Sequence, residues 1–81
     1  MASVSDVVGS MKEHPSDADA QEKGCDALFS LALDNPENQK LIAAGGGIDA
    51  VLSALDQHPT VEEVQVNGCN ALYILAWNNP A

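Results

Sequence analysis

The 81-residue chain is strongly acidic: twelve aspartates and glutamates against three lysines, with no arginine, give a formal net charge of −9. Nucleic acids and anionic membranes are therefore not expected as partners, because binding to phosphate requires cationic side chains. No stretch reaches the roughly 18 apolar residues of a membrane span, and no signal peptide opens the chain, so we expect a cytoplasmic or nuclear protein.

The first predicted helix lies between Ser3 and Pro15. Ser3 and Asp6 have the spacing of a capping box, in which two side chains satisfy free amides of the first helical turn. Apolar residues then recur at helical spacing, namely Val4, Val7, Val8 and Met11. The helix should end at His14, because the residue before a proline is disfavoured in the α conformation.

The second predicted helix begins with another capping box, formed by Ser16 and Asp19, and continues to about Asp34. Four residues mark its apolar side: Ala20, Gly24, Leu28 and Leu31. Asn35-Pro36 follows as an N-cap with proline at the first helical position. This pair predicts a short third helix that ends near Ala44.

Three consecutive glycines, Gly45–Gly47, then break the chain, since glycine tolerates left-handed backbone angles. The fourth predicted helix carries Ile48, Val51, Leu52 and Leu55 on one side. It should end at His58-Pro59, as the first helix does at its own His-Pro pair. Thr60 with Glu63 predicts a third capping box, which opens the last helix with Val61, Val64, Gly68, Leu72 and Leu75 as its apolar side.

The chain repeats itself. The segment of residues 24–36 recurs at residues 68–80, which is an offset of 44 residues. The same offset relates the two His-Pro pairs. A period of this size is typical of helical solenoids, in which each unit buries its apolar face against the next. We expect one all-α domain over residues 1–81 with five helices in about two repeats, a partial first repeat at 1–34 and a second repeat at 35–81.

Glycine and cysteine recur at adjacent positions of the long helices. Gly24 and Gly68 predict close helix crossings without room for a side chain, since glycine inside a helix costs about 1 kcal/mol relative to alanine. Cys25 and Cys69 are equivalent positions on successive helices, which pack about 8–10 Å apart, whereas a disulfide needs Cα atoms within about 7 Å. Both are expected to be reduced thiols in the core.

No motif indicates an enzyme, a metal or another cofactor. Gly45–Gly47 follows a helix and lacks the lysine of a phosphate-binding loop. His14 and His58 stand at helix ends while Cys25 and Cys69 lie in mid-helix, and this spacing does not match a zinc site. The carboxylates are spread over helix surfaces, the pattern of a solvated face.

The order of short helix, glycine break, second helix and long third helix resembles the armadillo repeat. The stretches that carry this resemblance are residues 35–46, 47–55, 63–65 and 71–76. HEAT repeats are the nearest alternative, but they lack the separate short first helix. The resemblance implies a right-handed α-α superhelix, a solenoid whose third helices line a concave groove that holds extended peptides or partner proteins.

Eight residues are the groove candidates that helical spacing selects on the two long helices: Glu22, Asp26, Ser30, Leu33, Val66, Asn70, Ile74 and Trp77. In nuclear-import receptors of this family a tryptophan and an asparagine one turn later build the groove. The corresponding pairs here are Asp26 with Ser30 and Asn70 with Ile74. Neither pair matches, which argues against binding of nuclear-localisation signals in that manner.

Some of these candidates have a second interpretation. Asn70 can hydrogen-bond a peptide backbone as donor and acceptor, or can be an ordinary solvated helix residue. Trp77 and Ile74 can cover the core between repeats or pack on a following repeat. The alternative for Trp77 is a specific role, in which its ring stacks on a bound peptide. The acidic charge favours a basic protein or peptide partner, although it also suits a plain soluble surface.

Two functions remain open at this stage. The first is a non-catalytic module that binds a protein or peptide through the concave third-helix face. The second is a structural unit that self-assembles, as a homodimer or with helices exchanged between chains, because unpaired repeat faces favour stacking. The positions where the repeats are cut also suggest an excised or engineered piece of a longer protein.

Overall fold

The computed structural model describes residues 3–77. Within this range there are five helices: α1 Val4–Glu13, α2 Ala18–Ala32, α3 Pro36–Ala44, α4 Gly47–Gln57 and α5 Glu62–Trp77. No residue in the described range is in a β-strand. The prediction of an all-α chain with five helices in this order is therefore confirmed for the described residues.

The N-terminus of α1 follows the prediction and that of α2 does not. The Ser3 hydroxyl accepts from the Asp6 amide and the Asp6 carboxylate accepts from the Ser3 amide, both at 3.2 Å. The box predicted at Ser16 is wrong, because Asp17 is the N-cap and its carboxylate accepts from the Ala20 amide at 3.2 Å. A turn after the His-Pro pair carries the chain one residue further before the helix begins.

The same displacement occurs at the start of α5. This helix begins at Glu62, and the first carbonyl to accept a helical hydrogen bond is that of Val61, from the Gln65 amide at 3.1 Å. Thr60 therefore stands one residue too early to be the cap, and the box predicted there is wrong. A turn closed by the Val61 amide on the His58 carbonyl, at 3.2 Å, accounts for the shift.

The short helix α3 is bounded as predicted. The Asn35 side chain accepts from the Asn38 amide at 3.0 Å, with Pro36 at the first helical position. At the other end Gly46 adopts a φ of 85°, a left-handed conformation that glycine reaches without steric cost. The chain reverses there, and α4 begins at the next residue.

Two units share one core. We call α1 and α2 the first unit and α3, α4 and α5 the second unit, as the sequence repeat divides them. α1 packs on α2, α4 packs on α5, and the two long helices α2 and α5 lie alongside each other in the most extensive helix contact of the described chain. The core residues are mostly aliphatic and come from all five helices, with Leu28, Ile42, Val51, Val64 and Leu75 among the most deeply buried.

Close helix crossings explain the two glycines of the long helices. A Cβ placed on Gly24 would lie 2.6 Å from the Met11 sulfur, and one placed on Gly68 would lie 2.6 Å from Leu55 Cδ2. Met11 and Leu55 are themselves 44 residues apart, from 11 to 55, so the surroundings of the two glycines are equivalent. The predicted close crossings are confirmed.

Candidate functional site

The α2 part of the predicted site lies mainly at the surface. Asp26, Ser30 and Leu33 are exposed, and Glu22 is half-buried. Leu33 is the C-cap of α2 rather than a helical residue, because the helix ends two residues earlier than predicted. The four residues still form one stripe, since their spacing of three or four positions returns to the same side of a helix.

The α5 part is less uniform. Val66 and Asn70 are exposed, whereas Ile74 is half-buried and packs against the hydrophobic core. The side chain of Trp77 lies outside the described residues, so both interpretations of this tryptophan stay open. Val66 and Asn70 are therefore the residues of α5 that extend the stripe of α2 on a neighbouring helix.

A residue that the sequence analysis did not select joins the two helices. The Asn67 amide group donates a hydrogen bond to the Glu22 carbonyl of α2 at 3.2 Å. The equivalent position of the first unit is occupied by Lys23. The second unit therefore has a neutral amide, Asn67, where the first has a charged side chain. This bond holds α5 against α2 directly beside the stripe.

Two glutamines, also missed, fix the orientation of each long helix on the helix before it. Gln21 donates to the carbonyls of Met11 at 3.0 Å and His14 at 2.8 Å. Gln65 donates to the equivalent carbonyls of the second unit, those of Leu55 and His58, both at 3.0 Å. The recurrence of glutamine at an interval of 44, from 21 to 65, was the signal in the sequence that could have identified them.

The two parts of the stripe differ in charge. The α2 part presents the carboxylates of Glu22 and Asp26, while the α5 part presents the apolar Val66 and the neutral Asn70. A nearby cation, Lys23, is bound to Asp19 of its own helix at 2.9 Å, and this hydrogen bond raises the pKa of the lysine. The stripe thus combines an acidic part on α2 with an uncharged part on α5.

Two surface grooves lie away from these eight residues. The larger, about 570 Å³, runs between α1 and α3 and is lined by Ser3, Val4, Ser5, Val8, Gly9, Lys12, Leu31, Asn38, Leu41 and Gly45. The smaller, about 270 Å³, lies between α1 and α2 and is lined by Asp6, Val7, Ser10, Ala20, Lys23, Gly24 and Ala27. Neither groove is lined by a residue that the sequence analysis selected for binding.

The two cysteines are both free, but they occupy different environments. Cys25 is fully buried, and this burial raises the pKa of its thiol to about 11. Cys69 is exposed, so the prediction that both thiols belong to the core is wrong for this one. The two positions differ because α2 packs against three helices of the second unit, α3, α4 and α5, whereas within the described residues the side of α5 that carries Cys69 is exposed.

Residues 3–77 contain no cluster of three or more histidine, cysteine, aspartate or glutamate side chains able to hold a metal ion. The helices in this range are also too short or too polar to cross a membrane. Whether the chain acts without a cofactor stays a prediction.

Comparison with protein-family models, with curated proteins and with solved structures gave no match for this chain. The resemblance to the armadillo repeat therefore stays a prediction that is based on the residues themselves. What the structure adds is the geometry of the two units and of the stripe that they share.

Proposed function

We propose that this chain is a non-catalytic protein-interaction module of the armadillo type, which holds an extended peptide segment against α2 and α5. The observation that carries the proposal is that Asp26 and Asn70, equivalent residues of two long helices that pack against each other, are both exposed. A short proline-initiated helix and a glycine break before α4 add to the resemblance. Because both thiols are free, we place the protein in the cytoplasm or nucleus.

At one pair of equivalent positions in the stripe, Asp26 and Asn70, exposure does not depend on which unit carries the residue. At other positions of the long helices one unit is buried and the other is exposed, as with Cys25 and Cys69. Asp26 and Asn70 are exposed in both units, so no other helix covers either side chain. A ligand could therefore contact both units along one continuous surface.

The spacing of the helices sets the spacing of the ligand. Packed helices lie about 8–10 Å apart, and an extended chain advances about 3.3–3.6 Å per residue. Groups that contact α2 and α5 should therefore stand two or three residues apart in the bound segment. Asn70 can pair with the backbone of such a segment, since its amide group both donates and accepts.

The charge of the stripe selects the side chains. The carboxylates of Glu22 and Asp26 favour a lysine or arginine over α2, and Val66 favours an aliphatic or aromatic residue over α5. A protein segment with a basic residue and an apolar residue separated by one or two positions is the partner that fits. Nucleic acid does not fit, because the stripe is acidic.

The proposal can be tested by titrating the 81-residue chain with a library of extended peptides that vary the spacing between a basic and an apolar residue. We expect the tightest binding at the spacing derived above, and loss of affinity by about tenfold in the variant Asp26→Lys, because the charge reversal repels the basic residue. Asp56→Lys, the same reversal at an exposed position of α4, is the matched control and should bind normally.

Asn70→Ala separates the backbone contact from the charge. It should weaken all peptides to a similar degree, whereas Asp26→Lys should weaken only the basic ones. Binding weaker than about 1 mM for every member of the library would contradict the proposal. So would equal effects of Asp26→Lys and Asp56→Lys, since net charge rather than the stripe would then be responsible.

A further inference from the structure

Equivalent residues of α2 and α5 differ in burial on one particular side. Cys25 and Ala32 are completely buried in α2, whereas Cys69 and Ala76, at the same repeat positions of α5, are exposed. The two helices have matching sequences and rest on their preceding helices in the same way. The difference in burial therefore shows which side of α2 the second unit covers. The equivalent side of α5 is suited to contact a similar neighbour.

On the other side of the units the difference in burial is reversed: residues of the second unit are buried and their equivalents in the first unit are more exposed. Ala54 and Val64 of the second unit are 2% and 0% exposed, while their equivalents Ser10 and Ala20 of the first unit are exposed and half-buried. Ser10 and Ala20 line the groove of about 270 Å³ between α1 and α2. Between α4 and α5 the matching positions are packed, because α2 of the first unit lies there.

We propose that a second copy of this chain docks head to tail, with its α5 filling the groove between α1 and α2. The occupant follows from the repeat: the matching surface of the second unit is filled by α2, and α5 repeats the C-terminal part of α2 closely. Residues 24–29 read Gly-Cys-Asp-Ala-Leu-Phe, and residues 68–73 read Gly-Cys-Asn-Ala-Leu-Tyr. The contact within one chain is thus the template for the contact between two.

The polar contacts between the units can be reproduced in the same way. Within the chain the His58 Nε2–H donates to the Pro15 carbonyl at 2.8 Å, across the boundary between the units. The repeat places His14 and Pro59 at the equivalent positions, and both are exposed. In a head-to-tail pair, His14 of one copy would reach Pro59 of the other.

A second bridge corresponds to the bond from Asn67 to the Glu22 carbonyl. The equivalent of Asn67 is Lys23 and the equivalent of Glu22 is Val66, so the lysine ammonium of one copy would face the Val66 carbonyl of the other. In the single chain Lys23 pairs with Asp19, and the lysine side chain is 75% exposed. Such an exposed ion pair contributes little stability, so the lysine can leave it for the Val66 carbonyl of the other copy.

This interface is heterologous, because it joins two different faces. Each copy offers both faces, so assembly proceeds through dimers to longer stacks unless a ring closes. The net charge of −9 on every copy opposes stacking, and salt screens that repulsion. Association should therefore become stronger as ionic strength rises, the reverse of an assembly held by opposite charges.

Two variants that block one face each provide the test. Ser10→Arg fills the groove from an exposed position, and Cys69→Glu places a charge on the exposed side of α5. The matched controls are Ser16→Arg and Gln57→Glu, which make similar changes at positions exposed in both units. Sedimentation of the unmodified chain and of every variant from about 10 μM to about 1 mM covers the range of weak association, and thermal unfolding confirms that each variant is folded.

We expect the unmodified chain and both controls to associate, and each blocked variant to remain monomeric when alone. An equimolar mixture of the two blocked variants should form a dimer that does not grow, because only one complementary pair of faces remains. Cys69→Ser leaves the face uncharged and should associate as the unmodified chain does. It shows that any loss of association in Cys69→Glu comes from the introduced charge and not from the loss of the cysteine.

Other outcomes would overturn the proposal. A Ser10→Arg protein that still dimerises alone would show that two α5 faces meet each other instead. An unmodified chain that stays monomeric at every concentration and salt level would show that this face accepts no second copy. Neither result bears on peptide binding by Asp26 and Asn70, which lie on a separate side of the helices and are tested separately.

Discussion

The first and second units have nearly the same internal construction. In each, a glutamine of the long helix donates to two carbonyls of the preceding helix, at 3.0 and 2.8 Å for Gln21 and at 3.0 Å twice for Gln65. In each, a glycine makes room for a side chain of that helix, Met11 or Leu55. What differs is the outside of the unit: Cys25 is buried and Cys69 is exposed.

The comparison separates two determinants of burial. Contacts inside a unit follow from its own sequence and are therefore repeated. Contacts between units depend on the neighbour, so the same residue type is core in one unit and surface in the other. Substitutions at equivalent positions should have similar effects when the residue acts inside its unit, and different effects when it acts between units.

Leu28 and Leu72 should give the largest difference. Leu28 is completely buried, whereas Leu72, its equivalent, is half-buried. Replacing Leu28 by alanine should lower the free energy of unfolding by about 2–5 kcal/mol, and the same change at Leu72 should cost clearly less, because less apolar surface and a smaller cavity are involved. Chemical denaturation at low protein concentration measures both.

Equal losses in the two leucine variants would contradict this interpretation, since burial by the neighbouring unit would then contribute nothing. Leu52→Ala, at a residue that is 49% exposed, is the control for loss of a surface leucine and should change stability little.

The helices were predictable from the sequence because their ends carry local signals. Ser3 with Asp6, Asn35 with Pro36 and the glycines before α4 each act on their own backbone neighbours, and the helix ends that they predict are confirmed. The starts of α2 and α5 were misplaced by one residue, because a turn after each His-Pro pair lengthens the connection. Capping patterns alone do not show where such a turn ends.

The errors at the site come from contacts between units. The sequence predicts both Cys25 and Cys69 in the core because they occupy equivalent repeat positions, and similarity alone does not show that only Cys25 is covered in the described chain. Asn67 cannot be identified from the sequence, because its partner is a backbone carbonyl, which every residue carries. Asp26 and Asn70 could be placed at the surface because helical spacing alone decides that side.

Gln21 and Gln65 give the next largest effect. Gln21→Ala leaves two carbonyls without their donor in a place that is only 2% exposed, and should cost about 2–3 kcal/mol. Gln65→Ala should cost less, because Gln65 is half-buried and water can reach the freed carbonyls. Denaturation of Gln57→Ala, at an exposed glutamine, supplies the baseline, and a larger loss at Gln65 than at Gln21 would contradict the prediction.

The buried thiol should make stability depend on pH. The pKa of Cys25 is raised from 9.0 to about 11 in the folded chain, so unfolding releases its proton more readily. The contribution is fully present below pH 9 and is lost as the pH rises through 11, which amounts to about 2 kcal/mol by pH 10.5. Unfolding free energies measured from pH 8 to 10.5 should fall more steeply for the unmodified chain than for Cys25→Ala.

Cys69→Ala is the matched control for this pH dependence. Its side chain is exposed in the folded chain, so removing it should leave the slope of stability against pH unchanged. A slope that is the same in all three proteins would show that Cys25 ionises in the folded chain as easily as in the unfolded one.

His58 and His14 should give the smallest difference, and one that depends on protein concentration. His58→Ala removes the hydrogen bond to the Pro15 carbonyl between the units, at a cost of about 0.5–1.5 kcal/mol in a dilute sample. His14→Ala changes an exposed residue and should leave the dilute chain within about 0.5 kcal/mol of the unmodified one. At high concentration the head-to-tail contact would engage His14, so this variant should then associate more weakly while its monomer stays intact. A His14 variant that is destabilised when dilute would instead place its ring inside the first unit, and the equivalence of the two histidines across the repeat would be lost.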